Sequence, residues 1–191
     1  SRIAKATIEV NRDVRDMSGK TAKAVAKDLN LRLADHKNVA KKLEKEIDAL
    51  GQPITASLIR KARVAEDLGW ACPFTGKRYD VHDLANGDIE REHIIPRSLR
   101  PTDSLDALVM TVSAVNRMKG RRTAMNFIEE EGGKPVQGAP HLTLFTPQQY
   151  RSFVGRLETF KGHDDDKKRK KRRKDWLLLN AYEEKEFTPG D

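Results

Sequence analysis

The stretch Ile89-Glu90-Arg91-Glu92-His93-Ile94-Ile95-Pro96 limits what this chain can fold into more than any other. Its β-branched residues favour a strand, and Pro96 cannot donate a ladder hydrogen bond, so the strand stops there. An acid sits directly against a histidine at that end. Histidine can act as a base near neutral pH. A carboxylate is a hard oxygen ligand for a divalent metal. Neighbours on a regular strand point to opposite faces. Glu92 and His93 can therefore serve one site only if the strand ends or bends at this point.

The next segment fits that requirement. Leu108-Val-Met-Thr-Val112 reads as a second short strand. Ser113 is expected to cap a helix that carries Asn116, Arg117 and Lys119. The order is strand, loop, strand, helix. The acid–His pair lies at the end of the first strand and an amide lies on the helix, so one metal can be held between the two elements.

The segment from Cys72 to Thr123 resembles the HNH nuclease domain of the CRISPR-associated, RNA-guided DNA endonucleases, the type II effectors. The pieces that carry the resemblance are Cys72-Pro-Phe-Thr-Gly-Lys77, Asp83-Leu84 with Asn86-Gly87, Glu92-His93-Ile-Ile-Pro-Arg-Ser98, Asp103-Ser104, and Asn116-Arg117 with Lys119-Gly120. His93 and Asn116 are 23 residues apart, as in that family. The resemblance implies an α+β fold with a ββα-metal core, surrounding helices and long helical linker arms. It implies metal-dependent cutting of the guide-RNA-paired DNA strand. His93 would activate water, while Glu92 and Asn116 would hold one cation, Mg²⁺ with Mn²⁺ as a substitute. Arg97, Arg117, Lys119, Arg121 and Arg122 gather around this site in sequence and supply the charge expected beside a scissile phosphate. The implied partners are target DNA, guide RNA through a parent protein, and the parent's other domains. The implied location is the bacterial cytoplasm, with no membrane partner.

Two positions depart from the family pattern. Glu92 stands where the family more often has Asp, one methylene shorter. Ala107 stands where the family often has a supporting Asn, and Asp106 is the nearest substitute. Many HNH relatives also bind structural zinc through two CxxC pairs. The single cysteine, Cys72, excludes that site here and excludes an internal disulfide as well.

The formal charge of +8 is placed in one run. Residues 167–174 are eight consecutive bases, and without them 29 basic residues face 29 acidic ones. Such a run reads either as a solvated linker or as a phosphate contact. No apolar stretch approaches the ~18 residues of a membrane span, and no secretory signal pattern is present.

Four regions are expected along the 191 residues. Residues 1–17 are read as a remnant of a RuvC-like segment. There Ile8-Glu9-Val10 resembles the strand whose Glu binds metal just before the HNH insertion, and no activity is expected from Glu9 here because the other RuvC segments are missing. Residues 18–69 form a helical linker arm. Residues 70–162 form the nuclease domain, and 163–191 a basic linker back to the RuvC-like domain. From the start at Ser1 and the end at Gly190-Asp191 the chain is expected to be a piece of a longer protein. Within these regions Thr55 caps a helix that Gly69 ends, Ala124 to Glu131 is a helix, and Thr146-Pro147 starts another that runs to about Phe160. Two other readings remain open on the residues alone. One is a stand-alone HNH homing-type or restriction-type nuclease. The other is a non-catalytic nucleic-acid-binding module centred on the basic run.

Overall fold

The computed structural model describes Ala34, residues 37–44 and residues 54–181. The Ile8-Glu9-Val10 strand, most of the helical stripe over residues 19–50, His36 and the turn at residues 51–53 lie outside the described residues. The elements below belong to the compact unit that begins at Val39.

Helix α1 (Ala56–Asp67) begins as its sequence dictates. Thr55 stays extended and its hydroxyl accepts from Leu58 N at 3.1 Å, which satisfies one of the helix's orphan donors. Its buried face includes Leu58, Ala62 and Ala65. Gly69, at φ +66, turns the chain out of the helix. Residues 71–78 fold back on themselves through an Ala71–Arg78 bridge, and Cys72 N donates to Lys77 O at 2.9 Å. Helix α2 (Val81–Asn86) follows, opened by a capping box between Asp80 and Asp83.

Strands β1 (Ile89–His93) and β2 (Leu108–Val112) form an antiparallel pair, with Ile89 opposite Val112 and His93 opposite Leu108. All five residues of β2 are buried, whereas β1 is half-exposed after Ile89. A loop and a single 3-10 turn (Leu105–Ala107) connect them. Helix α3 (Ser113–Lys119) leaves β2 directly. Ser113 is its first residue and not its cap; Val112 holds the cap position with no side-chain bond. A strand that runs straight into a helix leaves no turn in which a serine hydroxyl can reach back.

Helix α4 (Ala124–Glu131) and the small sheet of β3 (Pro135–Val136) and β4 (Ala139–Thr143) come next. Helix α5 (Pro147–Arg156) starts with a Thr146–Gln149 capping box and Pro147 in its first turn. It stops at Arg156, one turn short of the expected end. The core joins these helices through aromatic rings. Phe74 meets Phe127 edge-on at 5.6 Å and stacks on Tyr150 at 6.0 Å. Gly132 closes the turn after α4 because a Cβ there would strike the carbonyl oxygens of Ile128 and Phe145. Those are backbone atoms and cannot swing aside. Gly132→Ala is expected to destabilise the fold by about 1–3 kcal/mol, measured as a lower denaturant midpoint.

The basic octet forms helix. Helix α6 (Asp164–Leu177) is capped by His163 and carries Asp164, Asp165 and Asp166 in its first turn, where acids complement the helix dipole. Repulsion along the run is offset by carboxylates from elsewhere: Asp67 for Arg169 and Arg173, Asp106 for Arg172, and Glu158 for Lys170. Arg173 is 2 % exposed. It donates to Asp67 at 2.6 Å, to Leu108 O at 3.1 Å and to Leu105 O. This helix therefore ties the end of α1 to the start of β2.

Candidate functional site

Strand alternation puts Glu90 and Glu92 on one face of β1 and sends His93 toward the other. Helix α3 covers the glutamate face. Its residues Asn116 and Lys119 are three apart, so they project from one side of the helix. Asn116 Nδ2 donates to Glu90 Oε1 at 2.6 Å, and Lys119 Nζ donates to Glu92 Oε1 at 2.6 Å. Lys119 also donates to His93 O at 2.8 Å, which fixes the backbone at the strand's end. The lysine is fully buried and Glu92 is 12 % exposed. Burial lowers the Lys119 pKa, and the Glu92 carboxylate against it pulls the other way.

His93 is the last residue of β1 and is partly exposed. Its Nε2 lies 2.9 Å from Asp103 Oδ1, and Arg97 Nη2 lies 3.7 Å from the other oxygen of Asp103. The strand ends at His93, and the acid–His pair leaves it in different directions, Glu92 toward Lys119 and His93 toward Asp103.

The structure thus divides the expected residues. Glu92 and His93 are neighbours at the end of β1 and Asn116 lies on α3 over that strand, but Asn116 bonds Glu90 rather than Glu92, and His93 turns to Asp103. Arg97, Arg117 and Arg121 are exposed. Lys119 is inside, against Glu92. Arg122 is turned inward: it pairs with Glu130 and Glu131, donates to the carbonyls of Met118 and Lys119, and lies over the Phe127 ring. Asp106, beside Ala107, is buried and accepts from Arg172 Nε at 2.7 Å. Its carboxylate therefore serves α6. Sequence reasoning missed Glu90 and Asp103 as partners of the site. Glu90 was findable from period-two spacing to Glu92. Asp103 was not, because loop geometry alone brings it to His93.

The donor chemistry around Glu92 can be tested against a divalent cation. With Nδ2 given to Glu90, Asn116 keeps its amide oxygen as an acceptor. Two carboxylates and an amide oxygen are hard ligands. Among the described residues no three of His, Cys, Asp and Glu cluster into a cage. Lys119 occupies Glu92 Oε1 at 2.6 Å and leaves the other carboxylate oxygen, and a small hard cation that keeps most of its waters fits such an open set.

Residues 72–125 match the HNH endonuclease family. Over 68 residues the chain is 38 % identical to the CRISPR-associated endonuclease Cas9 1 of Streptococcus thermophilus, covering 35 % of this chain and 6 % of that protein. Over 47 residues it is 49 % identical to the CRISPR-associated endonuclease Cas9 of Listeria innocua, covering 25 % and 3 %. Among solved structures, Streptococcus thermophilus Cas9 in complex with the AGAA PAM aligns with a TM-score of 0.60 at 20 % identity, over 94 % of this chain and 16 % of that one. The type II-C Cas9 of Actinomyces naeslundii aligns with a TM-score of 0.59 at 19 % identity, over 84 % and 15 %. At those identities the structures establish the shared fold. The chain spans well under a fifth of each of these proteins.

Proposed function

We propose, from the premise that residues 72–125 form an HNH endonuclease domain, that this chain hydrolyses DNA phosphodiester bonds with His93 as the general base. The observation that supports the proposal is the placement of Glu92 and His93 at the end of β1, inside the matched segment, with α3 bonded across the strand through Asn116 to Glu90 and Lys119 to Glu92. The substrate is the DNA strand paired to a guide RNA, and the setting is a bacterial RNA-guided effector of antiviral defence. In such a protein, base pairing reads the sequence and the protein supplies the cut. The likeness to Cas9 proteins of two bacteria and to Cas9 folds over most of the chain supports this setting. Among the described residues no helix is long and apolar enough to cross a membrane, and the cytoplasm is the proposed compartment.

His93 takes a proton from water, and the water attacks phosphorus opposite the 3′ oxygen. The products are a 5′-phosphate and a 3′-hydroxyl. Glu92 and Asn116 would hold a divalent cation, Mg²⁺ with Mn²⁺ as substitute, and Glu90 orients the Asn116 amide. The chemistry such an ion would supply is neutralisation of charge on the phosphate and on the leaving oxygen. Lys119 keeps Glu92 in place and compensates its charge within the fold. Exposed Arg97, Arg117 and Arg121 position the phosphate backbone without reading bases.

Chelation tests the ion directly. Nicking of duplex or single-stranded DNA at high enzyme concentration is expected to stop in EDTA and return with Mg²⁺ or Mn²⁺. Nicking that persists in the chelator would contradict the proposed chemistry. Deleting 167–174 is a poor test of nucleic-acid binding, because it removes buried Arg173 and with it part of the fold. The exposed pair Lys168 and Lys171 is the suitable target. Changing both to Ala is expected to leave nicking intact and to shift DNA affinity by less than about tenfold at moderate salt.

A further inference from the structure

We infer that Asp103 is a positioning residue that holds His93 in the Nε2–H tautomer and leaves Nδ1 as the atom that takes the proton. The inference rests on the nuclease reading only for its functional consequence. The geometry stands on its own. Asp103 Oδ1 lies 2.9 Å from His93 Nε2. An ionised carboxylate only accepts hydrogen bonds, so the hydrogen between them belongs to the ring. A neutral imidazole has one such hydrogen, and its other nitrogen then carries the lone pair.

The loop holds Asp103 in register from several sides. Ile94 N donates to Ala107 O at 2.9 Å and closes the loop's neck. Thr102 Oγ1 bonds Ser104 Oγ at 3.1 Å and accepts from Ser104 N at 3.2 Å, bracketing Asp103. Just beyond, Arg173 holds Leu105 O and Arg172 holds Asp106. Arg97 stands beside the second carboxylate oxygen, which leaves the first directed at the ring. A chance surface pair would lack this support on both flanks.

The test uses the whole 191-residue chain, labelled with ¹⁵N-histidine and held at about pH 9, above the ordinary imidazole range. Nitrogen chemical shifts separate the two tautomers, and His93→Gln assigns the signal. Wild-type His93 is expected to show the Nε2–H form alone. Asp103→Asn can donate its amide N–H to Nε2, and is expected to populate the Nδ1–H form. The same variant is expected to lose about a hundredfold in kcat with KM unchanged. Asp103→Glu, which keeps the acceptor, is expected to restore the tautomer and part of the rate. The Nδ1–H form or a mixture in the wild type would overturn the inference, as would an unaltered tautomer or an unaltered kcat in Asp103→Asn. A wild-type chain that shows the Nε2–H form yet cuts no DNA contradicts the nuclease reading and not this one.

Discussion

His93→Ala is expected to reduce metal-dependent nicking by about 10²–10⁴-fold, the range for loss of a positioned general base. DNA affinity is expected to stay the same, because the proposed backbone contacts come from Arg97, Arg117 and Arg121. The variant is also expected to fold. His93 gives the fold one side-chain bond, to Asp103, and that pair is part-exposed, with the histidine 19 % and the aspartate 34 % accessible. Such pairs contribute about 0–1 kcal/mol. The Lys119 bond goes to the His93 carbonyl, which alanine retains. A large loss of rate with intact folding and binding separates a nuclease from a domain that only binds. A binding module would show no change at all.

Arg173→Ala is expected to carry the largest stability cost of any single change to the basic run. The side chain is buried beside Asp67 and satisfies the carbonyls of Leu105 and Leu108. Truncation leaves those acceptors without their donor and removes one of two guanidinium partners from a carboxylate that is 6 % exposed. Breaking a buried pair in this way costs about 3–5 kcal/mol. Arg169 stays within 3.2 Å of Asp67, which argues for the lower end. For a domain of this size that is a fall in Tm of about 6–12 °C. Arg173→Met with Asp67→Asn is expected to lose less than the two single losses added together, since the two charges of that pair leave together and Arg169 keeps Asp166. Lys171→Ala, on the exposed side of the same helix, is expected to shift stability by less than about 0.5 kcal/mol. Equal effects of Arg173→Ala and Lys171→Ala would show that α6 is not docked as described.

That contrast also explains what the sequence could and could not convey. Leu108–Val112 is legible because five consecutive apolar or β-branched residues have few alternatives. The Thr55 and Thr146 helix starts are legible because capping is local, with donor and acceptor three residues apart. The role of Arg173 is not legible, because its partner Asp67 lies 106 residues away. A row of eight bases looks alike residue by residue, and only the carboxylates packed against α6 single out Arg169, Lys170, Arg172 and Arg173. The site shows the same division. Glu92, His93 and Asn116 stand out through residue type and spacing. The exchange of partners, with Asn116 on Glu90 and Lys119 on Glu92, depends on the rotation of α3 over β1, and no local pattern encodes it. Arg122 stands beside exposed Arg121 in sequence, yet its place over the Phe127 ring and its pairing with Glu130 and Glu131 turn it inward.

The measurement that tests the central claim most directly is single-turnover DNA cleavage in H₂¹⁸O with Mg²⁺, run with wild type and His93→Ala in parallel. The wild type is expected to place one heavy oxygen on each new 5′-phosphate and to leave the 3′-hydroxyl unlabelled, with the variant forming almost none of either product. Strand breaks that lack the label, or labelled product formed at the same rate by His93→Ala, would contradict water activation by this histidine.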